Sequence, residues 1–164
     1  MKSSGKRFED NFKKSLNLEA DNLFYYRFKD GTANWGDKTN SNVRFQAHNI
    51  SDCMIFYNGI LFICELKSHK GKSLPLDCIR ENQYNEMLEA SMKKNVACLL
   101  FVYFSDVEEC YAIPIQKIRD YKRFYDKKSI NIQYFQEKGF KLEVKTLKTN
   151  IRVNIMDFLR KVAG

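Results

Sequence analysis

The chain has 164 residues, 44% of them apolar, so it can bury a core, and with only 2 Pro and 7 Gly it is neither a disordered nor a collagen-like or linker-rich polymer. The length fits one domain; no run of ~18 apolar residues offers a membrane span, and the basic start, Lys2, Lys6 and Arg7, leads into no apolar stretch of a secretory signal. With 28 Lys and Arg against 20 Asp and Glu, the net charge of +8 favours polyanionic partners, nucleic acid or an anionic membrane face, although a basic protein without such a partner fits the charge equally well.

Taken in order, the chain predicts a mixed α/β domain over residues 1–164. Ser4 caps a helix that carries Phe8, Phe12 and Leu16 on one stripe. A strand over 23–28 follows. Residues 29–49 are polar, with isolated Trp35, Val43 and Phe45, and are too long for an ordinary connection. Next comes the clearest signal: an apolar strand ending at Tyr57, then Asn58-Gly59, then an apolar strand from Ile60, the pattern of a tight hairpin. Residues 69–76 read as a basic loop. Asp77 caps a helix to about Lys93, with Ile79, Met87 and Ala90 on one face and Gln83 among them. The apolar run 96–104 is a strand buried on both faces, with a neighbour over 110–113 that Pro114 ends. A basic helix spans 116–126; its Tyr121, Phe124 and Tyr125 fit a face packed on the sheet. Residues 129–150 read as irregular, with a short strand near Leu142. Asn154 caps a last helix that turns Ile155, Phe158, Leu159 and Val162 inward. The five cysteines, Cys53, Cys64, Cys78, Cys98 and Cys110, form no C-x-x-C pair and fall largely in apolar runs, which points to a reducing, cytoplasmic setting and no zinc site.

The hairpin carries the chemistry. If Asn58-Gly59 is a two-residue turn, Tyr57 pairs with Ile60, and counting five positions back along each strand sets Asp52 opposite Glu65. Directly opposed side chains share a face with Cβ atoms ~4.5–5.5 Å apart. Lys67, two positions on from Glu65, points the same way. Two facing carboxylates repel, and one lysine balances only one of them. A divalent cation resolves the conflict, because Mg²⁺ takes oxygen ligands through one or two carboxylates and keeps water and phosphate oxygens in its remaining positions. The alternative is a solvated charge cluster at a fraying strand end.

Ser51-Asp52, then twelve residues, then Glu65-Leu66-Lys67 resembles the PD-(D/E)xK nuclease signature, with serine in the proline position. The longer series Asp52, Tyr57-Asn58-Gly59, Glu65-Leu66-Lys67-Ser68, Ser73-Leu74-Pro75-Leu76 and Gln83 is similar to the RecU family of Holliday junction resolvases, and Gly5-Lys6-Arg7-Phe8-Glu9 resembles that family's opening helix. The resemblance implies a restriction-endonuclease-like mixed sheet flanked by helices, in which 29–49 is an inserted, stalk-like loop. It implies a homodimer that cuts four-way DNA junctions with Mg²⁺, for which Mn²⁺ substitutes. Asp52, Glu65 and the Leu66 carbonyl would hold the metal, Lys67 would be the catalytic base or position the water, and Glu9 would support the metal. Gln83 would face the site. Lys6, Arg7, Lys70 and Lys72 would hold DNA phosphates, and Lys38, Arg44 and Trp35 of the stalk would meet the open junction. Two other readings remain: another PD-(D/E)xK endonuclease, or a basic DNA-binding protein without catalysis. Glu9 also fits an ordinary helical ion pair with Lys13.

Overall fold

A computed structural model describes residues 4–20, 22–28, 31–32, 46–47 and 49–164. The elements in order are α1 (Ser4–Ser15), β1 (Leu23–Arg27), β2 (Gly31–Thr32), β3 (Gln46–Ala47), β4 (Cys53–Tyr57), β5 (Ile60–His69) and β6 (Ser73–Pro75). A 3-10 turn at Leu76–Cys78 leads to α2 (Glu81–Ala90), β7 (Val96–Phe104), β8 (Glu109–Pro114) and α3 (Ile115–Phe124). The chain closes with β9 (Ser129–Asn131), α4 (Ile132–Lys138), β10 (Phe140–Leu142), β11 (Val144–Thr146), β12 (Ile151–Val153) and α5 (Ile155–Ala163).

Six strands form one mixed sheet in the order β1-β4-β5-β7-β8-β10. Only β5 and β7 run parallel, joined by the crossover that contains β6 and α2. The long strands are apolar on both sides because both sheet faces are covered. On one face, Phe62, Cys64 and Leu66 of β5 and Phe101 of β7 pack against Phe8 and Phe12 of α1 and Phe158 and Leu159 of α5. Phe101 is fully buried, its ring 4.9 Å from that of Phe12 and 5.7 Å from that of Phe158. On the other face, Ile63, Leu100, Val102, Tyr111 and Ile113 pack against Met87 of α2, Ile118 and Tyr121 of α3 and Phe135 of α4.

Several expected elements are displaced. The helix expected from Asp77 begins at Glu81, after the 3-10 turn, because Ile79 and Arg80 are extended and interrupt helical geometry. The basic loop contains β6, which pairs with β9. The stretch read as irregular holds the expected strand near Leu142, which is β10, and also β9, α4 and β11; α4 has only seven residues, too few for a periodic signal, although Asn131 caps it by accepting from the Gln133 N–H. Asn154 caps α5 as expected, but Val162 is exposed and Met156 takes its place in the core. On α3, Tyr121 is buried whereas Phe124 and Tyr125 face solvent. The 29–49 segment lies largely outside the described residues; its described parts are the antiparallel pair β2–β3 and Asn49.

The turn that sets the register is as the sequence requires. Asn58 and Gly59 both have positive φ, 46° and 80°, which suits the right-handed twist of the flanking strands. A Cβ on Gly59 would meet nothing within 4 Å. Gly59→Ala should therefore cost about 1–2 kcal/mol, from backbone strain alone. Urea unfolding should show that loss with no change in the slope.

Candidate metal-dependent active site

The β4–β5 ladder runs from Tyr57–Ile60 to Cys53–Cys64. One step further, Asp52 and Glu65 stand opposite each other at its open end. The backbone pairing stops there, and the Asp52 carboxylate continues it: its Oδ2 accepts the Leu66 N–H at 2.7 Å. The Asp52 carbonyl is held from the other side by the Phe28 N–H at 3.0 Å. Ser51 is buried and turns its hydroxyl onto the Cys53 carbonyl at 3.1 Å. The serine thus braces the strand start where the signature usually carries proline.

Glu65 lies beside Leu100 of β7 and Lys67 beside Val102, so both face the α2 side of the sheet. Glu65 is only 2% exposed. Its Oε1 accepts from Lys67 Nζ at 2.7 Å, and its Oε2 lies 3.5 Å from Gln83 Nε2. Gln83, buried on α2, also donates to the Asn49 carbonyl at 3.3 Å. One amide therefore ties α2, β5 and the segment entering β4. Burial first, and then the Asp52 charge, push the Glu65 carboxyl up to about 7, against the pull of Lys67 and Arg80. Burial works to lower the Lys67 pKa, but the Glu65 carboxylate overrides it and holds the ammonium above the ordinary lysine value.

Asp52, Glu65, Lys67 and Gln83 are thus brought to one face, and the Leu66 backbone runs between them. Glu9 sits elsewhere. It forms an ion pair with Arg27 on β1, which also reaches Asp10 at 3.3 Å. Arg27 stands opposite Cys53, on the α1 side of the sheet. Lys6 and Arg7 are exposed on α1, and Lys70 and Lys72 are exposed beyond β5. Lys38, Arg44 and Trp35 lie outside the described residues. Two contributors escaped the sequence reading. Arg80 feels the Glu65 charge from the extended residue just before α2, where no helical spacing announces it. Asn49 acts through its carbonyl, which no side-chain pattern announces.

Among the described residues no three His, Cys, Asp or Glu side chains gather into a metal cluster. The oxygen atoms that the hairpin end offers are those of two carboxylates and of the backbone that runs between them. Hard oxygen donors of this kind fit Mg²⁺, which completes its shell with water and phosphate. The electrostatics are compatible with that fit: burial first, and then the neighbouring Asp52 charge, raise the Glu65 carboxyl to about 7, and a divalent cation would offset the charge part of that shift.

The sign of the pH dependence follows. The folded protein holds the Glu65 proton between about pH 4.5 and 7 while the unfolded chain has released it, so metal-free stability falls as pH rises through that window. A shift of this size corresponds to about 3 kcal/mol. Metal-free Glu65→Gln should therefore be more stable than the parent at pH 8, by up to about 3 kcal/mol, and nearly equal at pH 4. Urea denaturation at both pH values, in the presence of a chelator, measures the difference.

Comparisons with known proteins bear on the family and the fold. The profile of the family described as Recombination protein U, RecU, matches residues 25–161. The chain is 32% identical over 177 aligned positions to the SPbeta prophage-derived uncharacterized protein YotM of Bacillus subtilis (strain 168), an alignment covering 99% of this chain and 86% of YotM. Its fold is similar to that of Archaeoglobus fulgidus Hjc, a Holliday junction resolvase, with a TM-score of 0.51 and 13% identity over 84% of this chain and 95% of that one. The sheet, its flanking helices and the charged hairpin end are accordingly those of a member of the RecU family.

Proposed function

We propose that the protein is a divalent-metal-dependent endonuclease that resolves four-way DNA junctions as a homodimer. The observation that carries the reading is the placement of Asp52, Glu65 and Lys67 on one sheet face beside an ordered Gln83. Membership of the RecU family and the likeness in fold to an archaeal junction resolvase support the same substrate. Excess positive charge suits a DNA partner. A junction has two equivalent strands to cut, which suits a two-fold pair of identical sites.

In this mechanism Asp52, Glu65 and the Leu66 carbonyl hold the Mg²⁺, for which Mn²⁺ substitutes. When bound, the ion supplies Lewis acidity toward the scissile phosphate and its attacking water. Lys67, fixed by its hydrogen bond to Glu65, orients that water and offsets the charge that builds on the phosphate as the ester bond breaks. Gln83 keeps Glu65 in the rotamer that presents its carboxylate. Glu9, paired with Arg27 on the α1 side of the sheet, stands outside this donor set. Lys6, Arg7, Lys70 and Lys72 hold phosphates. Lys38, Arg44 and Trp35 are assigned to the junction centre from the sequence alone.

A panel of four-way, flapped, nicked and linear DNAs with Mg²⁺ or Mn²⁺ tests this. The four-way junction should be cut symmetrically, and chelation should stop the reaction. Asp52→Asn, Glu65→Gln and Lys67→Ala should each reduce cutting by at least about a hundredfold while junction binding persists. Equal cutting of linear duplex would replace the resolvase with a general endonuclease, and binding without any cutting would leave a non-catalytic DNA-binding protein.

A further inference from the structure

The crossover between Lys67 and Gln83 arches over the catalytic face, and its outer part is a small β ribbon. Strand β6 pairs antiparallel with β9, a segment more than fifty residues away, through Ser73–Asn131, Leu74–Ile130 and Pro75–Ser129. Leu74 and Ile130 are buried and anchor the ribbon to the α2–α3–α4 core. The alternate positions, Ser73, Pro75, Ser129 and Asn131, turn outward and are short. Backbone hydrogen bonds continue past the ladder at both ends: the Ile132 N–H donates to the Lys72 carbonyl and the Leu76 N–H to the Lys128 carbonyl, each at 2.8 Å.

This antiparallel pairing sets two separate lysine pairs at opposite ends of one ribbon, Lys72 beside Ile132 and Lys128 beside Leu76, about four strand positions apart. Lys70 and Lys72 lead into β6, while Lys127 and Lys128 lead into β9. All four are exposed, and among the described residues none is in an ion pair. Neighbouring cations on α3 are neutralised, Lys122 by Glu81 and Arg119 by Asp120. Asp77 and Asp126 flank the ribbon in sequence and are matched in number by Arg80 and Arg123, while the Asp106 carboxylate accepts from the Gly71 N–H at 3.1 Å, between Lys70 and Lys72, and leaves the ribbon with net positive charge. The ribbon is also close to the chemistry. The 3-10 turn that follows β6 holds Cys78 near enough to Lys67 and Glu65 to feel both charges.

We propose that the β6–β9 ribbon is a DNA-arm contact, with Lys127 and Lys128 joining Lys70 and Lys72 to grip the phosphates of the duplex leading away from the cut strand. The short outward side chains let the DNA backbone approach, and the four cations neutralise it. The inference rests on the reading of the protein as a junction nuclease, and it gives that site its duplex-holding surface.

Binding is measured without cleavage, in the Glu65→Gln protein, by titrating a fluorescent four-way junction over a range of salt concentrations. Adding Lys127→Ala and Lys128→Ala should weaken binding at least about tenfold near 0.1 M salt and flatten the salt slope by about 2. The thermal midpoint should match that of the Glu65→Gln parent. Lys93→Ala with Lys94→Ala, at the exposed turn before β7, is the control and should leave affinity and slope unchanged. Affinity and slope equal to the parent, or a loss no larger than the control's, overturns the proposal. If wild-type protein cuts no DNA yet the ribbon variant still loses junction binding, the nuclease reading fails and the ribbon stands.

Discussion

Two like charges forced together by a strand pair organise this molecule. Asp52 and Glu65 meet at the end of an otherwise apolar hairpin, and one of them is sealed from water. In such surroundings charge repulsion is weakly screened and desolvation adds to it. A fold selected for stability alone would place apolar residues there. Instead the surrounding groups serve to hold the pair in place: the Leu66 N–H on Asp52, the Lys67 ammonium on Glu65, and the Gln83 amide between α2 and the sheet.

The two sheet faces divide the labour. The face under α1 and α5 is a closed aromatic core in which Phe12, Phe101 and Phe158 lock β5 and β7 into a rigid platform. The opposite face is apolar toward β8 but polar at the free end of β5. The polar end thus stands on a stiff support, as a site that must position atoms requires. The strain of the charged pair is borne by packing elsewhere in the domain.

Much of this was legible in the sequence because β structure converts spacing into direction. Asn58-Gly59 named the turn, the turn named the register, and the register placed Asp52, Glu65 and Lys67 together. Gln83 was legible as a polar residue on an apolar stripe. Illegible features depended on long-range pairing or on backbone atoms. The β6–β9 ribbon joins two three-residue strands, too short for alternation to register, and nothing local in either predicts the other. The Asn49 carbonyl and the Arg27 link to Glu9 and Asp10 are likewise products of tertiary packing. The crossover misled because Asp77 looks like a helix cap, while the extended Ile79 and Arg80 delay the helix to Glu81.

The tight turn has a further consequence for how this chain can vary over time. Side chains on a strand alternate with a period of two, so a single residue gained or lost within β4 or β5 would swing one acidic group to the far side of the sheet. Substitutions between Asp52 and Glu65 are filtered one at a time by packing, but changes in length are filtered by parity. Only balanced additions, one on each side of Asn58-Gly59, would keep the two carboxylates in register.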